Sequence, residues 1–440
     1  MVFQDCVPEK SDLQQILDLS DSDIVKRLHS LLPSLEGKRI IMINSTAQGG
    51  GVAEILNSFV SLFKELGMEI IWKVLDAPPR FFEVTKRFHN ALQGDGDANL
   101  DEQMSYYASF YQSSIKEKNP GLFELLDNLD ENDIVVVHDP QPLALILYRK
   151  DDGSKWVWRC HIDVSEPHEK LWEFVESYAR QYDKIIVSKN TFIRGDDKDY
   201  VIIPPSINPI SEKNRDMTGQ EVEDLLKQFN IPLDKGLITQ VSRLDKWKDP
   251  IGVIRSYNTF RETYVDDSHR LALVYNTAVD DPEGHAMEQL VKQEIEKSPF
   301  KKDIILILGE YPLLVNALQR YSTTIFQKSL REGFGLTVSE ALWKRTPVIA
   351  TKAGGIPLQI RDGVNGFLLE TYPIDEEGNA KEKDDEINHV RQAARKIHEL
   401  LSDPERIREM GLQAHVIVKK HFLISRHILD YMELFINLDN

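Results

Sequence analysis

The sequence has little cysteine, no long apolar run and no surplus of basic residues. Cys6 and Cys160 are its two cysteines. Two thiols this far apart make neither a disulfide framework nor a zinc site, so a reducing cytoplasm is the expected location. No apolar stretch approaches the roughly 18 residues that cross a bilayer, and residues 1–12 lack the apolar core of a signal peptide. These absences predict a cytoplasmic protein without a membrane partner.

Lysine and arginine number 53 against 71 aspartates and glutamates, which gives a formal net charge of −18. An acidic surface repels phosphate backbones, so nucleic acid is not expected as a partner. Any anionic small ligand must therefore be held by a local cluster of cations and amide dipoles. With 440 residues, the chain has room for two or three domains of ordinary size.

Short β-branched runs alternate with longer amphipathic stretches, which is typical of a parallel sheet built from βαβ units. In the N-terminal half this pattern predicts strands at 38–44, 68–75, 133–138, 155–160 and 184–188, and helices that include 52–66, 81–92 and 168–180. The prolines of VIIPPSINPISEK (201–213) forbid a helix or a central strand there. We interpret this segment as a hinge between two domains.

The alternation resumes after the hinge. It predicts strands at 236–241, 270–274, 304–308, 324–327 and 347–350, and helices at 250–260, 313–320, 336–343, 388–401, 404–420 and 425–437. The sequence therefore predicts an α/β fold of two similar-sized domains that face each other. Ligands of such sheets bind beyond the carboxyl ends of the strands, here in the cleft between the domains.

The clearest local signal is QKSLREGFGLTVSEA (327–341), which follows a predicted strand and opens a helix. Gly333 and Gly335 would let the backbone approach a ligand, and a helix beginning near Leu336 would direct free N–H groups at it, which suits a diphosphate. The carboxylates of Glu332 and Glu340 suit the hydroxyls of a sugar and a ribose. An ordinary glycine-rich turn with two solvated glutamates is the alternative.

A second signal, VSRLDKWKDP (241–250), also follows a predicted strand. Arg243 and Lys248 would lie in one loop there. Two cations in that position would neutralise a diphosphate and the charge that develops as it leaves. The alternative is a solvated charged turn in which Trp247 packs.

A third signal, NSTAQGGGVAE (44–54), stands at the first strand–helix junction. Gly49, Gly50 and Gly51 predict a flexible turn ahead of the helix, either a plain tight turn or a mobile loop that closes over phosphate or sugar. The segment is not a dinucleotide fingerprint, because G-x-G-x-x-G would require glycine where the chain has Glu54. A nicotinamide-dependent dehydrogenase is therefore disfavoured.

Two histidine-bearing segments, HDPQP (138–142) and WRCHID (158–163), end predicted strands, where ligand-binding residues belong. An isolated buried histidine is more often a hydrogen-bonded core residue than a catalyst, and neither segment has metal-ligand spacing. The acidic DGD (95–97) is interpreted as a solvated loop. No protein ligand set for a metal is visible and no tightly bound cofactor is expected, although Mg²⁺ carried by a diphosphate is compatible with the sequence.

Together these segments resemble the family 4 retaining glycosyltransferases, and most closely the branch that makes or phosphorolyses trehalose. The likeness runs from about residue 38 to residue 437. REGFGLTVSEA (331–341) marks the broad family, whereas VTKRFHNALQG (84–94), HDPQP and WRCHID are typical of the trehalose branch. The segment DDPEG (280–284) also contributes. Leu244 and Lys246 stand where relatives often have an aromatic residue and a proline.

The resemblance implies a GT-B type fold, in which two facing Rossmann-like domains enclose a deep cleft. Residues 1–207 would form the acceptor domain, rejoined by a helix in 421–440, and residues 208–420 the nucleotide-sugar donor domain. The implied catalytic residues are His161 at the reaction centre, Glu332 on the donor sugar, and Arg243 and Lys248 on the diphosphate. Donor contacts are implied for Gly50, Gly51, Gly333, Phe334, Gly335, Leu336 and Glu340, and acceptor contacts for Asn90, Asp139 and Gln141.

The implied activity is retaining transfer of glucose from ADP-glucose or UDP-glucose to glucose, which forms trehalose by front-face displacement. A trehalose phosphorylase that uses inorganic phosphate and a glucosyltransferase with another small acceptor stay open as alternatives. The two glutamates and two cations argue against a non-catalytic nucleotide-sugar sensor. Sugars are the expected partners, and a homodimer is compatible with the sequence. The donor base and the direction of reaction stay open.

Overall fold

A computed structural model describes residues 6–8, 12–48, 50–94, 96, 99–195, 199–276, 282–374 and 380–438. The chain divides into two compact units. The first unit comprises Met1–Asn208 together with Ile424–Asn440, and the second unit comprises Pro209–Leu423. Each unit has its own sheet and its own buried apolar core.

The first unit contains a parallel sheet whose described strands follow the order β2-β1-β3-β4-β5-β6. Their bounds are Arg39–Asn44 (β1), Glu69–Val74 (β2), Asp133–His138 (β3), Lys155–Arg159 (β4), Lys184–Val187 (β5) and Tyr200–Ile202 (β6). Every residue of β3 is buried, as expected for a central strand that is covered on both faces. Trp156 and Trp158 of β4 are fully buried and fill the core beside it.

Helices cover this sheet, and one of them comes from the C-terminus. Tyr431 in that last helix packs its ring 4.9 Å from the ring of Phe59, and Arg426 Nη2 donates to the carbonyls of Pro204 and Pro205. The bounds are Leu13–Leu19 (α1), Ser22–Leu31 (α2), Gly50–Glu65 (α3), Pro79–Leu92 (α4), Leu100–Ser113 (α5), Ile115–Lys118 (α6), Pro120–Asp127 (α7), Glu169–Ala179 (α8) and Ile424–Asn437 (α17).

The second unit contains a parallel sheet with the described order β12-β11-β10-β7-β8-β9. Its strands are Gly236–Arg243 (β7), His269–Asn276 (β8), Ile304–Leu308 (β9), Thr324–Gln327 (β10), Val348–Thr351 (β11) and Gly366–Leu369 (β12). Its helices are Gly219–Gln228 (α9), Pro250–Tyr264 (α10), Pro282–Lys297 (α11), Pro312–Tyr321 (α12), Leu336–Trp343 (α13), Ile356–Gln359 (α14), Lys383–Leu401 (α15) and Pro404–His421 (α16). The strand order reverses between β7 and β10, and open parallel sheets bind ligands at such a switch point.

The predicted alternation of strands and helices is confirmed, but some details are wrong. Gly50 and Gly51 do not form a turn ahead of α3, because α3 begins at Gly50, which has a φ of +81°. Arg243 is not in a loop, since it is the last residue of β7. The start of the proposed hinge belongs to strand β6, which the prolines permit because this edge strand ends before Pro204.

Some elements of the structure were not predicted, and some predicted segments lie outside the described residues. Strand β12 and the helices α1 and α2 were not predicted, and the segment 1–37 resembles nothing specific. Gly49, residues 95 and 97 of DGD, and residues 280–281 of DDPEG lie outside the described residues. Within the described part of the chain, no helix has both the length and the apolar composition that crossing a bilayer requires.

Candidate active site

Two loops of the second unit meet at the carboxyl edge of its sheet. One follows β7 and carries Lys248, and the other follows β10 and carries Glu332. Lys248 Nζ lies 2.7 Å from Glu332 Oε2, and the two side chains are only 15% and 16% exposed. Because β7 and β10 are neighbours at the point where the strand order reverses, this ion pair lies where parallel sheets bind their ligands.

The charge of Lys248 is maintained although its side chain is buried. Burial favours the neutral amine, but the carboxylates of Glu332 and Asp245 together outweigh it, and the pKa of Lys248 is raised. Hydrogen bonds to backbone carbonyls hold the two loops that carry the pair. Gln240 Nε2 donates to Lys248 O at 2.8 Å, and Leu330 N donates to Trp247 O at 2.7 Å, which ties one loop to the other.

A second ion pair joins the same two loops. Lys328 follows β10, is fully buried and pairs its ammonium with Asp249 Oδ2. Asp249 Oδ1 also accepts a hydrogen bond from Gly252 N at 2.9 Å, so the same carboxylate caps α10. Neither residue was predicted from the sequence, because 79 positions separate them and no local pattern connects them.

Arg243 is placed differently from Lys248. Its side chain is 66% exposed, and its Nε lies 3.8 Å from Asp245 Oδ2. At that exposure an ion pair contributes little to stability. The structure therefore brings Lys248 and Glu332 into direct contact, whereas the guanidinium of Arg243 stays at the surface.

The glycine-rich turn predicted ahead of α13 is present. Gly335 has a φ of +84°, which glycine adopts without steric cost, and it directly precedes Leu336, the first residue of α13. Glu332 packs against it, since a Cβ at Gly335 would lie 3.4 Å from Glu332 Cγ. Phe334 is buried, and its carbonyl accepts from Gln359 Nε2 at 2.6 Å. The turn thus places the carboxylate beside the amino end of a helix, where backbone N–H groups favour anions.

A third loop closes on the backbone of Glu332. Gly354 follows β11 with a φ of +47°, and a Cβ at this position would lie 1.4 Å from Glu332 O. The next residue, Gly355, donates its N–H to Gly333 O at 3.1 Å. Only glycine permits this approach, so the third loop helps to hold the residue that pairs with Lys248.

Glu340 lies farther along α13 and is 2% exposed. Its Oε2 accepts from Gln319 Nε2 at 3.4 Å, and its carbonyl accepts from Lys344 Nζ at 3.1 Å. The carboxylate therefore lies against α12, and among the described contacts it does not join the Lys248–Glu332 pair.

In the first unit, residues from both histidine-bearing motifs meet at the carboxyl ends of β3 and β4. His138 Nδ1 lies 3.0 Å from His161 Nε2. Asp139 Oδ1 accepts from His161 N at 2.8 Å, and Asp139 N donates to Arg159 O at 2.8 Å. Asp139 has a φ of +65°, a region that aspartate enters more readily than most residues. Such strain is typical of functional sites.

Burial dominates the electrostatics of this cluster. It raises the pKa of Asp139 to about 6, and the hydrogen bond from His161 and the charge of Arg159 offset the shift only in part. Burial, together with the charge of Arg159, also lowers the pKa of His138 to about 3 and lowers that of His161. Both imidazoles are therefore neutral at neutral pH.

Tyrosines of α5 anchor the loop that follows β3. Tyr107 OH donates to Pro140 O at 2.7 Å, and Tyr111 OH donates to Gln141 O at 2.5 Å. Gln141 Oε1 is buried and has no hydrogen-bond partner among the described residues. The loop that carries Asp139 and Gln141 is thus held from one side by two tyrosine hydroxyls.

The other predicted residues of the first unit are not joined to this cluster. Asn90 is half-buried in the last turn of α4, and Gly50 and Gly51 open α3. Among the described hydrogen bonds none connects them to His161. Among all residues that the structure describes, no three or more His, Cys, Asp or Glu side chains are grouped so that they could hold a metal ion.

Two protein-family models match the chain. The model described as the N-terminal domain of trehalose synthase matches residues 42–194, and the model of group 1 glycosyl transferases matches residues 221–383. A trehalose synthase of Pyrococcus horikoshii is 38% identical over 97% of this chain and 96% of its own. A trehalose phosphorylase of Pleurotus pulmonarius is 28% identical over 78% of this chain and 51% of its own.

Solved structures share the fold at low sequence identity. An α,α-trehalose-phosphate synthase of Burkholderia xenovorans, in complex with glucose-6-phosphate, aligns with a TM-score of 0.65 and 15% identity over 91% of this chain and 100% of that one. Anabaena HepE, in complex with UDP and glucose, aligns with a TM-score of 0.64 and 15% identity over 90% and 99%. The predicted GT-B type α/β fold is confirmed.

The fold, the family models and the relatives together define a hexosyltransferase of the GT-B type. This chain belongs to the trehalose synthase family of the group 1 glycosyl transferases. The resemblance and the enzyme class predicted from the sequence are therefore confirmed, and the reaction class is a trehalose-related glycosyl transfer.

Gly354→Ala is expected to remove most of the transferase activity and to lower the midpoint of thermal unfolding. The added methyl group cannot be accommodated against Glu332 O, so the turn that carries Glu332 must move. Gly363→Ala is the matched control, because Gly363 has a φ of +76° but only Arg406 Nη2, at 4.0 Å, near its Cβ position. Equal losses in the two variants would show that backbone strain, and not the contact with Glu332, is responsible.

Asp139→Asn is expected to stabilise the protein near neutral pH while lowering its activity. The pKa of Asp139 rises from 3.8 to about 6 on folding, so the folded state binds the proton more tightly than the unfolded chain. Ionisation therefore weakens folding progressively between about pH 4 and pH 6, and the full effect persists above that window. At about 1.4 kcal/mol per pKa unit, the stability lost through ionisation of Asp139 is at most about 3 kcal/mol. Asparagine cannot ionise but keeps the acceptor for His161 N.

Urea unfolding near pH 4 and near pH 7.5 measures this effect. The stability gained by Asp139→Asn should be present at the higher pH and absent at the lower one. Asp151→Asn, at an exposed position, should show no such dependence. A variant that is less stable than the wild type near pH 7.5 would contradict the expectation.

Proposed function

We propose that the protein transfers glucose, with retention, from a nucleoside diphosphate glucose to glucose and so forms trehalose. The observation that carries this proposal is the buried Lys248–Glu332 pair beside the amino end of α13. A cation and helix amides suit a diphosphate, and a carboxylate accepts hydrogen bonds from sugar hydroxyls. The trehalose synthase relative, 38% identical over 97% of the chain, supports trehalose as the product.

The donor is assigned to the second unit in this proposal. Lys248 and Arg243 neutralise the diphosphate, and Glu332 accepts hydrogen bonds from hydroxyls of the transferred glucose. Glu340 takes the ribose hydroxyls, in exchange for its contact with Gln319. The amides that meet phosphate are those of Gly333, Phe334, Gly335 and Leu336. ADP-glucose and UDP-glucose both fit these contacts, because none of them involves the base.

The acceptor is assigned to the first unit. Asp139 and Gln141 are held there by the anchored loop after β3. Gln141 Oε1 is buried without a hydrogen-bond partner among the described residues, which supports a polar ligand at this point. His161 lines the reaction centre. Asn90 is assigned to acceptor binding. Gly50 and Gly51 are assigned to donor binding, near the diphosphate.

In the proposed reaction, the bond between the anomeric carbon and the diphosphate oxygen breaks as the acceptor hydroxyl bonds to the same face of that carbon. The hydroxyl proton passes to an oxygen of the leaving diphosphate, so no protein carboxylate acts as a nucleophile. The protein contributes by orienting both sugars and by stabilising charge on the leaving group. Mg²⁺ bound to the diphosphate would add to that stabilisation without requiring protein ligands.

A donor–acceptor matrix tests this proposal. ADP-glucose and UDP-glucose are each incubated with glucose, glucose 6-phosphate and glycerate, and the product linkage is determined by NMR. We expect trehalose, with both anomeric carbons in the α configuration, from at least one donor with free glucose. If product forms with glucose 6-phosphate or glycerate but not with glucose, the proposed acceptor is wrong and the acceptor that reacts takes its place.

The reverse direction separates the synthase from a phosphorylase. Trehalose is incubated with inorganic phosphate and, separately, with ADP and with UDP. Release of glucose with a nucleoside diphosphate supports the proposal. Release of glucose 1-phosphate with phosphate alone would assign the protein to phosphorolysis instead.

A further inference from the structure

Two histidines and a methionine form a short chain of contacts across three neighbouring strands of the first unit. Met42 lies in β1, His138 ends β3, and His161 follows β4. His138 Nε2 lies 3.5 Å from Met42 Sδ, while its Nδ1 lies 3.0 Å from His161 Nε2. The ring centroids are 5.4 Å apart and the planes are 17° from parallel. The nitrogens therefore meet edge to edge, in the geometry of an N–H···N hydrogen bond.

Each ring carries one proton. Burial and the positive charge of Arg159 keep both imidazoles neutral, and His427 adds to this effect at His161. A neutral imidazole has one nitrogen that donates and one that accepts. The contact between His138 and His161 therefore contains a single hydrogen, which one ring donates and the other accepts.

The position of Met42 indicates that His161 is the donor and His138 the acceptor. A thioether sulfur accepts weakly and has no hydrogen to give. If His138 carried its proton on Nδ1, its bare Nε2 would be buried against the sulfur without a donor, which is costly. With the proton on Nε2, His138 donates to Met42 Sδ and its Nδ1 accepts from His161 Nε2. This arrangement satisfies every nitrogen of the contact.

His161 is then left with a bare Nδ1. His161 is less buried than His138, and its Nδ1 has no hydrogen-bond partner among the described residues. The backbone of the same residue is held by Asp139 Oδ1, which accepts from His161 N at 2.8 Å. The ring is thus fixed at two points and presents a lone pair on its open side.

We propose that His138, supported by Met42, is a positioning residue that holds His161 in its Nε2–H tautomer, so that His161 Nδ1 accepts a hydrogen bond from a hydroxyl of the bound sugar. His138 itself does not touch the substrate. The sugar as ligand rests on the proposed function, whereas the tautomer is a property of the free protein. The histidine arrangement can therefore be tested without any assay of transfer.

The direct test is long-range ¹H–¹⁵N correlation NMR on the full-length protein with ¹⁵N-labelled histidine. Twelve histidines are present, and the spectrum of His161→Gln identifies the signals of His161. We expect the proton on His161 Nε2 in the wild type, and on Nδ1 or shared between the nitrogens in His138→Phe. A wild-type proton on His161 Nδ1, or an unchanged tautomer in His138→Phe, would overturn the proposal. The wild-type spectrum decides the point even where the variant is poorly folded.

Kinetics provide the second readout. His138→Phe should lower kcat on the order of 10- to 100-fold, by analogy with the loss when the partner that orients a metal-ligating histidine is removed. His138→Asn should lose less, because its side-chain oxygen can accept from His161 Nε2. His269→Phe is the control, since His269 begins β8 at the amino edge of the other sheet and its side chain is 13% exposed.

The results distinguish the positioning role of His138 from the proposed glucosyl transfer. Equal kcat values for His138→Phe and the wild type would overturn the positioning role. The expected tautomers in a protein that transfers glucose to none of the acceptors would support the histidine arrangement and contradict the proposed function.

Discussion

Lys248→Met is expected to lower kcat/KM for glucosyl transfer by roughly 10²- to 10³-fold with the fold intact. Methionine keeps the apolar stem and removes the ammonium that stabilises charge on the leaving diphosphate. In a chain with a net charge of −18, the surrounding potential cannot replace that charge. Initial rates with varied donor, together with calorimetric binding of the nucleoside diphosphate, measure the loss.

Lys246→Met is the matched control for this experiment. Lys246 lies in the same 3-10 turn, Lys246–Lys248, but its ammonium lies over the ring of Trp247, 4.5 Å from the centroid. Its removal should leave the rate within a few-fold of the wild type. A near-normal rate for Lys248→Met, or equal losses in the two variants, would remove Lys248 from the proposed site.

Glu332→Gln is expected to reduce turnover by a similar factor, roughly 10²-fold or more, even at saturating donor. Glutamine keeps the shape and one acceptor oxygen, but it cannot hold the hydroxyls of the donor sugar with a charged acceptor. It also removes the charged partner of Lys248, whose side chain is only 15% exposed, and is therefore expected to lower stability as well. Rates and urea unfolding are measured on the same preparation.

The double variant Lys248→Met with Glu332→Gln separates the catalytic role from the structural one. It should recover part of the stability, because no unpaired charge remains, and none of the activity. Glu370→Gln is the control for the carboxylate, since Glu370 also pairs with a lysine, Lys352, but is 72% exposed. Recovery of activity in the double variant would mean that the pair serves the fold alone.

The strands and helices could be predicted from the sequence where the local signal is strong. The runs at Asp133–His138, Ile304–Leu308 and Thr324–Gln327 occur as predicted, because they are β-branched or apolar and bounded by turn residues. Helix α13 occurs where the alternation predicts it, directly after the glycine-rich turn. The strand β12, Gly366–Leu369, was not predicted.

The site was predictable in part. The glycine-rich turn, Lys248 and Glu332 could be proposed because each follows a strand, and strand ends collect at one edge of a parallel sheet. Two features could not be proposed from the sequence: the ion pair Lys328–Asp249 and the close approach of Gly354 to Glu332 O. Each depends on which loops become neighbours, and no local pattern of sequence encodes that.

By itself the sequence determined the order and type of the elements and the family to which the chain belongs. Periodicity, turn residues and motifs extend over a few positions, so they can be recognised in the sequence without knowledge of the fold. Only the tertiary structure decided which distant side chains meet, as at Lys248 and Glu332, which are 84 positions apart, and at His138 and His161, which are 23 apart. The physical reason is that these contacts follow from the order of strands in each sheet, which long-range packing sets and local propensity does not.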